Sequence, residues 1–310
     1  MNPEIVVIGS LNMDLVVQAP RRPNPGETVF GTGFATVPGG KGANQAVAAA
    51  RLGAHVAMFG RIGDDIFGTT LRKGLEQESI DARHLLVTPG VPTGTALITV
   101  DEQAENSITV VPGANNRLTP EDTEGLAQLV PGAKVVLLQL EIPLPTVMQA
   151  AKLARRNGLT VILDPAPAPA ENLPDELLSL VDIILPNETE ASILTGRSVS
   201  DARTARLAAT DLLHRGVGKA VVKLGARGAL VAAGNQFEYI PGFRVEAVDT
   251  TAAGDAFAGA LAVGLIEGKS MHEAVVWANK VGALSVTRFG AQTSMPSRLE
   301  LDQFEGVVGD

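Results

Sequence analysis

The chain has 310 residues, 45% of them hydrophobic, with 4% aromatic residues, no cysteine and a formal net charge of −9 at pH 7. That composition supports a large core and excludes disulfides, thiolate metal sites and cysteine nucleophiles. The acidic balance argues against a nucleic-acid backbone as main partner, and the scarcity of rings argues against a base-stacking platform.

In chain order, Ile5–Ile8 is a continuous apolar run ended by Gly9, the pattern of a strand buried on both faces. Residues 41–52 form an Ala-rich helix that Gly53 ends, and a strand at 56–59 and a helix at 66–78 follow. From 92 to 112 the pattern becomes alternating around a polar turn at 101–105, which predicts an antiparallel hairpin. Thr119-Pro120-Glu121-Asp122 offers a Thr cap, Pro at the first helical position and acids in the first turn, so a helix is expected to start there. Strands at 135–138, 160–163, 182–185, 220–223 and 229–232 then alternate with helices at about 145–156, 188–194, 201–214, 253–267 and 271–287. Buried strands separated by helices imply an α/β fold with a mostly parallel sheet covered on both faces. Ligands of such sheets gather at the carboxyl ends of the strands. The Pro-rich stretch 164–174 reads as a loop. His55, His84, His214 and His272 are too scattered for a metal cluster or a Ser-His-Asp triad. The N-terminal MNPEIVVIGS lacks the basic region of a secretory signal, and no 18-residue apolar stretch free of charge occurs, so a soluble, cytoplasmic protein is expected.

Neither a P-loop nor a dinucleotide fingerprint is present. No Gly stands five positions before Gly40, no Ser or Thr follows Lys41, and Gly31-x-Gly33 lacks its third glycine. Thr250-Thr251-Ala252-Ala253-Gly254-Asp255 instead puts small residues at the start of an apolar helix, where free N–H groups and the positive end of the macrodipole suit a phosphate. Asp255 in the first turn is placed to take a proton from a hydroxyl attacking that phosphate; an acid that only complements the dipole is the alternative. Gly39-Gly40-Lys41-Gly42-Ala43-Asn44 opens the helix at 41–52, with Lys41 and Asn44 on one face as donors, or is a glycine-rich turn with a solvated lysine. Asn12 and Asp14 point the same way from an extended segment and together offer what a vicinal diol needs, or are two turn residues. Glu141 follows the apolar run 135–140, at a strand's carboxyl end, unless it is a surface acid. Asn187 and Glu190 suit a hydrated Mg²⁺, and the same spacing is a capping-box variant. The 223–228 segment, KLGARG, joins two strands with glycines that would let a flat base lie on the backbone, or is a plain hairpin turn.

The order GGKGAN, LPNETE, KLGARG, DTTAAGDAF resembles that of the ribokinase family, the PfkB-type carbohydrate kinases, and AAGD is similar to the family's GAGD signature. The resemblance spans nearly the whole chain, from VIGSLNMD to GAQTSMP. It implies one α/β kinase domain over 1–310 with a small β-sheet lid from segments about 13–37 and 92–112, and ATP-dependent phosphorylation of D-ribose to D-ribose 5-phosphate. Asp255 matches the general base, and Ala252, Ala253 and Gly254 match the anion hole. Asn12, Asp14, Gly40, Lys41, Asn44 and Glu141 match the sugar-binding set, and Ala96, Ile98 and Val110 match apolar lid residues over the sugar. Asn187 and Glu190 match a Mg²⁺-associated motif; Asn187, Lys223, Gly225, Gly228, Gly254 and Asn279 fall in the ATP region, where Lys223 and Asn279 differ in type from some relatives. Asp249, Thr251, Ser285, Arg288, Gly290 and Ser294 match a K⁺ site formed mostly by backbone oxygens. The resemblance also implies a homodimer through the lid, with no nucleic-acid or membrane partner. Two rival expectations are another sugar or nucleoside kinase of the family, acting on deoxyribose, fructose or a nucleoside, and a sugar-binding regulator without catalysis.

Overall fold

The structure is a computed structural model that describes residues 2–103, 106–129, 131–169 and 172–309. It begins with β1 (Ile5–Ile8), β2 (Asn12–Gln18) and β3 (Gly33–Gly39), then α1 (Lys41–Arg51), β4 (Val56–Gly63), α2 (Ile66–Gln77) and β5 (Leu85–Thr88). A hairpin of β6 (Gly94–Val100) and β7 (Asn106–Val111) follows. Next come β8 (Val135–Leu138), α3 (Leu144–Arg156), β9 (Thr160–Leu163), α4 (Asp175–Leu178), β10 (Ile183–Ile184), α5 (Glu188–Thr195) and α6 (Ala202–His214). The C-terminal third holds β11 (Lys219–Lys223), β12 (Gly228–Ala233), β13 (Gln236–Pro241), α7 (Ala253–Ile266), α8 (Met271–Ser285) and α9 (Arg298–Asp302).

Nine strands form one sheet in the order β13-β12-β11-β10-β9-β8-β1-β4-β5, parallel from β11 to β5 and antiparallel at β12 and β13. The period of two divides each inner strand between two cores. Ile5, Val7, Val135 and Leu137 join one cluster with α1, α7 and α8; Val6, Ile8, Val136 and Leu138 join the other with α3, α5 and α6. Burial of both faces is why these strands are uninterrupted apolar runs. From β1 the chain builds outward through β4 and β5, then returns to the other side of β1 through β8. The crevice at the carboxyl ends of β1 and β8 is therefore the switch point where α/β sheets bind ligands.

A second sheet, in the order β3-β2-β6-β7, is small and mixed: β2 runs parallel to β6, and the other pairs are antiparallel. Of the turn expected at 101–105, residues 104 and 105 lie outside the described residues, as do 170 and 171 of the Pro-rich stretch.

Three local expectations are corrected. The helix start at 119–122 leads into a 3-10 helix, Glu121–Gln128, with Pro120 as cap rather than first helical residue. The Asp122 carboxylate accepts from the Thr119 N–H at 2.8 Å and pairs with Arg61, which tightens that turn. The strand at 56–59 runs on to Gly63 because its second half pairs with β5, an element not anticipated from the sequence. The helix expected to reach 287 ends at Ser285, where the chain turns so that the Val286 carbonyl accepts from the Val248 and Asp249 N–H groups.

Candidate active site

Consecutive strands deliver the polar residues. Ser10 and Asn12 follow β1, Glu141 follows β8, Asp164 follows β9, Asn187 follows β10, and Lys223 ends β11. Helix α7 is added to this row by close packing on α1. A Cβ on Gly259 would stand 2.7 Å from Ala48 Cβ and 2.9 Å from the Gln45 carbonyl, so only glycine permits the approach.

That contact brings the start of α7 to α1. Asp255, 4% exposed, accepts from Asn44 Nδ2 at 2.9 Å and from Gln45 Nε2 at 3.1 Å. Burial, with the nearby charge of Asp164, raises its pKa against the opposing effects of Lys41, Asn44 and Gln45. The N-cap Ala252 has φ 59°, a left-handed conformation that costs an L residue on the order of 1 kcal/mol. It turns the chain so that Ala253, Gly254 and Asp255 form the first turn, whose N–H groups have no partner within the helix; the Ala253 N–H donates outward to the Thr250 carbonyl at 3.3 Å.

The sugar-side candidates converge on the same crevice. Glu141 Oε2 accepts from Ser10 Oγ at 2.5 Å and from the Lys41 N–H at 3.1 Å, tying β8 to the start of α1, whose cap Gly40 has φ 88°. Burial opposes the charge on Lys41, but Asp255, Asp164, Glu141 and Glu190 outweigh it and raise the pKa. Asn12 is buried and accepts from Asn115 Nδ2 at 2.8 Å. Burial, then the charges of Glu141 and Asp255, push Asp14 up to about 7. Asp14, Ala96 and Val110 are in register across β2, β6 and β7, so they stand in one row on one face of the small sheet; Ile98, two residues beyond Ala96, shares that face. A cleft of about 260 Å³ lies between this sheet and the large one, lined by Asn12, Val110, Asn115, Glu141 and Pro167 among others. The Asn44 Oδ1 and Gln139 Oε1 atoms are buried without a hydrogen bond from the protein among the described residues. The Asn44 acceptor, on the side chain that also meets Asp255, suits a hydroxyl donor from a bound molecule, whereas Gln139 Oε1 lies against Gly9.

The nucleotide-side and metal candidates divide into three groups. Asn187 and Glu190 form a complete capping box of α5: Asn187 Oδ1 accepts from the Glu190 N–H, and Glu190 Oε2 accepts from the Asn187 N–H, each at 2.8 Å. Burial raises the pKa of Glu190, Lys223 lowers it and Asp164 raises it, with a net rise. Gly225 and Gly228 shape the turn between β11 and β12, and Asn279 donates to the Ile240 and Pro241 carbonyls beside it. In the third group, Asp249 joins two loops, accepting from the Thr251 N–H and Oγ1 at 2.9 and 2.6 Å and from the Gly290 N–H at 2.9 Å. Burial works against the Asp249 carboxylate, yet these bonds hold its pKa below the ordinary value. Ser285 and Ser294 donate instead to the Gly282 and Ala291 carbonyls, and Arg288 pairs with Glu300.

The sequence reading passed over Gln45, Gln139 and Asp164. Gln45 Nε2 donates to Asp164 at 3.0 Å as well as to Asp255, Gln139 Nε2 donates to Gln45 Oε1 at 2.6 Å, and Asp164 pairs with Lys223. The available sequence signal for Gln45 was an amide on an Ala-rich helix; the structure buries it completely.

The match to known proteins covers the chain almost completely. Residues 2–298 fit the model of the pfkB family carbohydrate kinases. The chain is 44% identical to a ribokinase of Haemophilus influenzae over 98% of its length and 99% of the relative's. It is 38% identical to a deoxyribokinase of Salmonella typhi over 97% and 98%. The structure of Arabidopsis thaliana ribokinase complexed with ribose and ATP superposes with a TM-score of 0.91 at 36% identity, covering 98% of this chain and 100% of that one. The chain belongs to the pfkB family of carbohydrate kinases.

Proposed function

We propose that the protein transfers the γ-phosphoryl group of ATP to D-ribose, giving D-ribose 5-phosphate and ADP. The observation that carries this is the buried Asp255 at the open N-terminus of α7, hydrogen-bonded to Asn44 and Gln45, in a chain similar over its full length to ribokinases. In this reading Asp255 takes the proton of the sugar's primary hydroxyl, and the N–H groups of 252–255 stabilise the charge on the transferring group. Asn12, Asp14, Gly40, Lys41, Asn44 and Glu141 bind the sugar hydroxyls, and Ala96, Ile98 and Val110 cover it. Gly225, Gly228 and Asn279 hold the nucleotide.

Carboxylates outnumber lysines here: Asp14, Glu141, Asp164, Glu190 and Asp255 face Lys41 and Lys223. Such a site takes up ATP with a cation. The capping box occupies the Asn187 and Glu190 side chains, which fits a Mg²⁺ held through its own waters and the phosphates. Bound there, the ion supplies charge neutralisation for phosphoryl transfer. The Asp249 carboxylate and the carbonyls of two loops have the donor chemistry for K⁺, with Thr251, Ser285, Arg288, Gly290 and Ser294 contributing backbone oxygens. Thr251 adjoins Ala252, so such an ion would steady the anion hole without touching substrate. Rates in KCl should exceed those in NaCl at equal ionic strength; equal rates would remove this site.

We further infer a single kinase domain over 1–310 with the four-stranded sheet as its lid, working in the cytoplasm, where ATP is supplied. Val17, Phe34, Leu97 and Val111 leave apolar surface on the sheet face opposite Asp14. A second copy pairing lid to lid would cover it.

The test is ADP release across ribose, 2-deoxyribose, fructose and nucleosides. Ribose is expected to give the highest kcat/KM, because a pocket that pairs each hydroxyl discriminates against a sugar lacking one. A higher value for deoxyribose or a nucleoside would move the protein to that substrate within the family.

A further inference from the structure

We propose that Lys223 is a ligand of the phosphoryl group in flight rather than of the nucleotide base, and that Asp164 holds it ready. The inference deepens the kinase reading above and rests on it.

The backbone fixes where Lys223 begins. It ends β11, and its N–H donates to the Pro186 carbonyl at 2.8 Å, which locks it beside the loop bearing Asn187. Its side chain does not run out to solvent as lysines ordinarily do. It is 12% exposed, and its Nζ lies 2.8 Å from Oδ1 of Asp164, a side chain 2% exposed. A Cβ on Gly254 would stand 3.2 Å from that Nζ, so the ammonium lies against the first turn of α7.

Electrostatics makes this position informative. A helix N-terminus carries about half a positive charge and favours anions. A lysine pressed against it is repelled unless an anion is shared between them. Asp164 pairs with Lys223 directly and the charge of Glu190 also acts on it, yet an ammonium carries three N–H donors and the Asp164 carboxylate takes one of them. A buried ion pair of this kind generally stabilises a fold no better than an apolar pair of the same volume. The convergence of a cation, a helix N-terminus and the Asp255 carboxylate is the arrangement a transferring phosphoryl group requires.

Gln45 joins the parts. Its Nε2 donates to Asp164 Oδ2 at 3.0 Å and to Asp255 Oδ1 at 3.1 Å, so the holder of the cation and the proton acceptor are fixed by one amide. In the transfer, the bond from the γ-phosphorus to the bridging oxygen breaks, and ADP keeps the electron pair. The sugar oxygen bonds to phosphorus, and its proton passes to Asp255 and then to solvent. Lys223 forms no covalent bond; its N–H groups follow the phosphoryl oxygens from ATP to product.

The test compares binding of ADP and of the non-hydrolysable analogue AMP-PNP, each with Mg²⁺, by calorimetry without sugar. In Lys223→Met/Asp164→Asn both charges of the pair leave together, so Asp164 is not left as a stranded carboxylate. Analogue affinity should fall about tenfold or more while ADP affinity moves less than about threefold, because only the charge-assisted bonds to the last phosphate are lost. Turnover should fall by about 10² or more. Lys223→Gln keeps a donor for Asp164 and reads the same ratio if the double variant does not fold. Equal weakening of ADP and analogue would make Lys223 a base or ribosyl contact and overturn the proposal. A lower melting temperature with both affinities and kcat within twofold would make it structural and equally overturn it. Failure of the ribose reading would show separately, as a wild-type protein that binds the nucleotides but prefers another acceptor.

Discussion

The two sheets use the same hydrogen-bonding chemistry and meet opposite fates. In the nine-stranded sheet, β1 and β8 are buried at every residue, with apolar side chains entering a core on each face. In the four-stranded sheet, β7 is exposed at five of its six residues, and β3 is exposed at Phe34, Ala35 and Thr36. A ladder of backbone bonds does not by itself make a strand rigid, since those bonds replace equivalent bonds to water. Apolar burial does, and the small sheet has little of it. The large sheet is therefore the frame that fixes Glu141, Asp164 and Lys223, while the small sheet carries Asp14, Ala96 and Val110 on a far more exposed layer.

Mutations can sharpen that contrast. The largest effect belongs to the framed side of the site. Asp255→Asn keeps size and hydrogen-bonding reach but accepts no proton, so kcat should fall by ~10²–10⁴, or about 3–5 kcal/mol of barrier. The melting temperature should hold or rise, because a buried charge is removed. A variant that turns over normally and only melts earlier would show Asp255 to be a helix cap.

Next is the frame itself. Leu137→Ala, at a fully buried position of β8, should cost about 2–5 kcal/mol in denaturant unfolding. Leu97→Ala, half exposed on the small sheet, should cost less than about 0.5 kcal/mol in the isolated chain and instead weaken self-association in sedimentation. Equal costs would abolish the distinction between the two sheets.

Asp14 tests where the sheets meet. Its carboxyl is raised from 3.8 to about 7, so the folded chain holds this proton more tightly than the unfolded chain. Its contribution to stability should thus decline as pH rises from about 4 to about 7 and remain low above that. Asp14→Asn should be more stable than wild type at pH 8 by roughly 1–2 kcal/mol, the shift being discounted for partial solvation, and equal to it below pH 4. Its ribose affinity should fall by about 1–3 kcal/mol, measured by calorimetry. Unchanged affinity would remove Asp14 from the sugar site.

A small effect is also expected at the start of α7, proposed above as the anion hole. Ala252 holds φ 59° without a side-chain cap. Ala252→Gly should relieve strain and raise stability by about 1 kcal/mol or less, seen as a modestly higher melting temperature.

Sequence alone determined the alternation of apolar runs with amphipathic helices, hence the parallel sheet covered on both faces. Each signal was local: a period, a cap, a glycine at a helix end. It also marked Asp255, Lys41, Asn12, Asp14 and Glu141, because small residues at helix starts and acids at strand ends have a chemistry readable at short range. Tertiary structure decided what no window of residues contains. Gln45 and Asp164 are 119 positions apart in the chain and Asp164 and Lys223 are 59 apart, yet they form one buried network with Asp255. Gln45 is one amide in an alanine-rich helix, and Asp164 opens a Pro-rich loop, so neither carries a local mark of its role. Strand β5 owes its existence to the far half of β4, and the length of α8 to a turn tied to residues 248 and 249. In each case the deciding partner lies far away in sequence, and a buried polar group declares its role only when the groups that satisfy it are brought alongside.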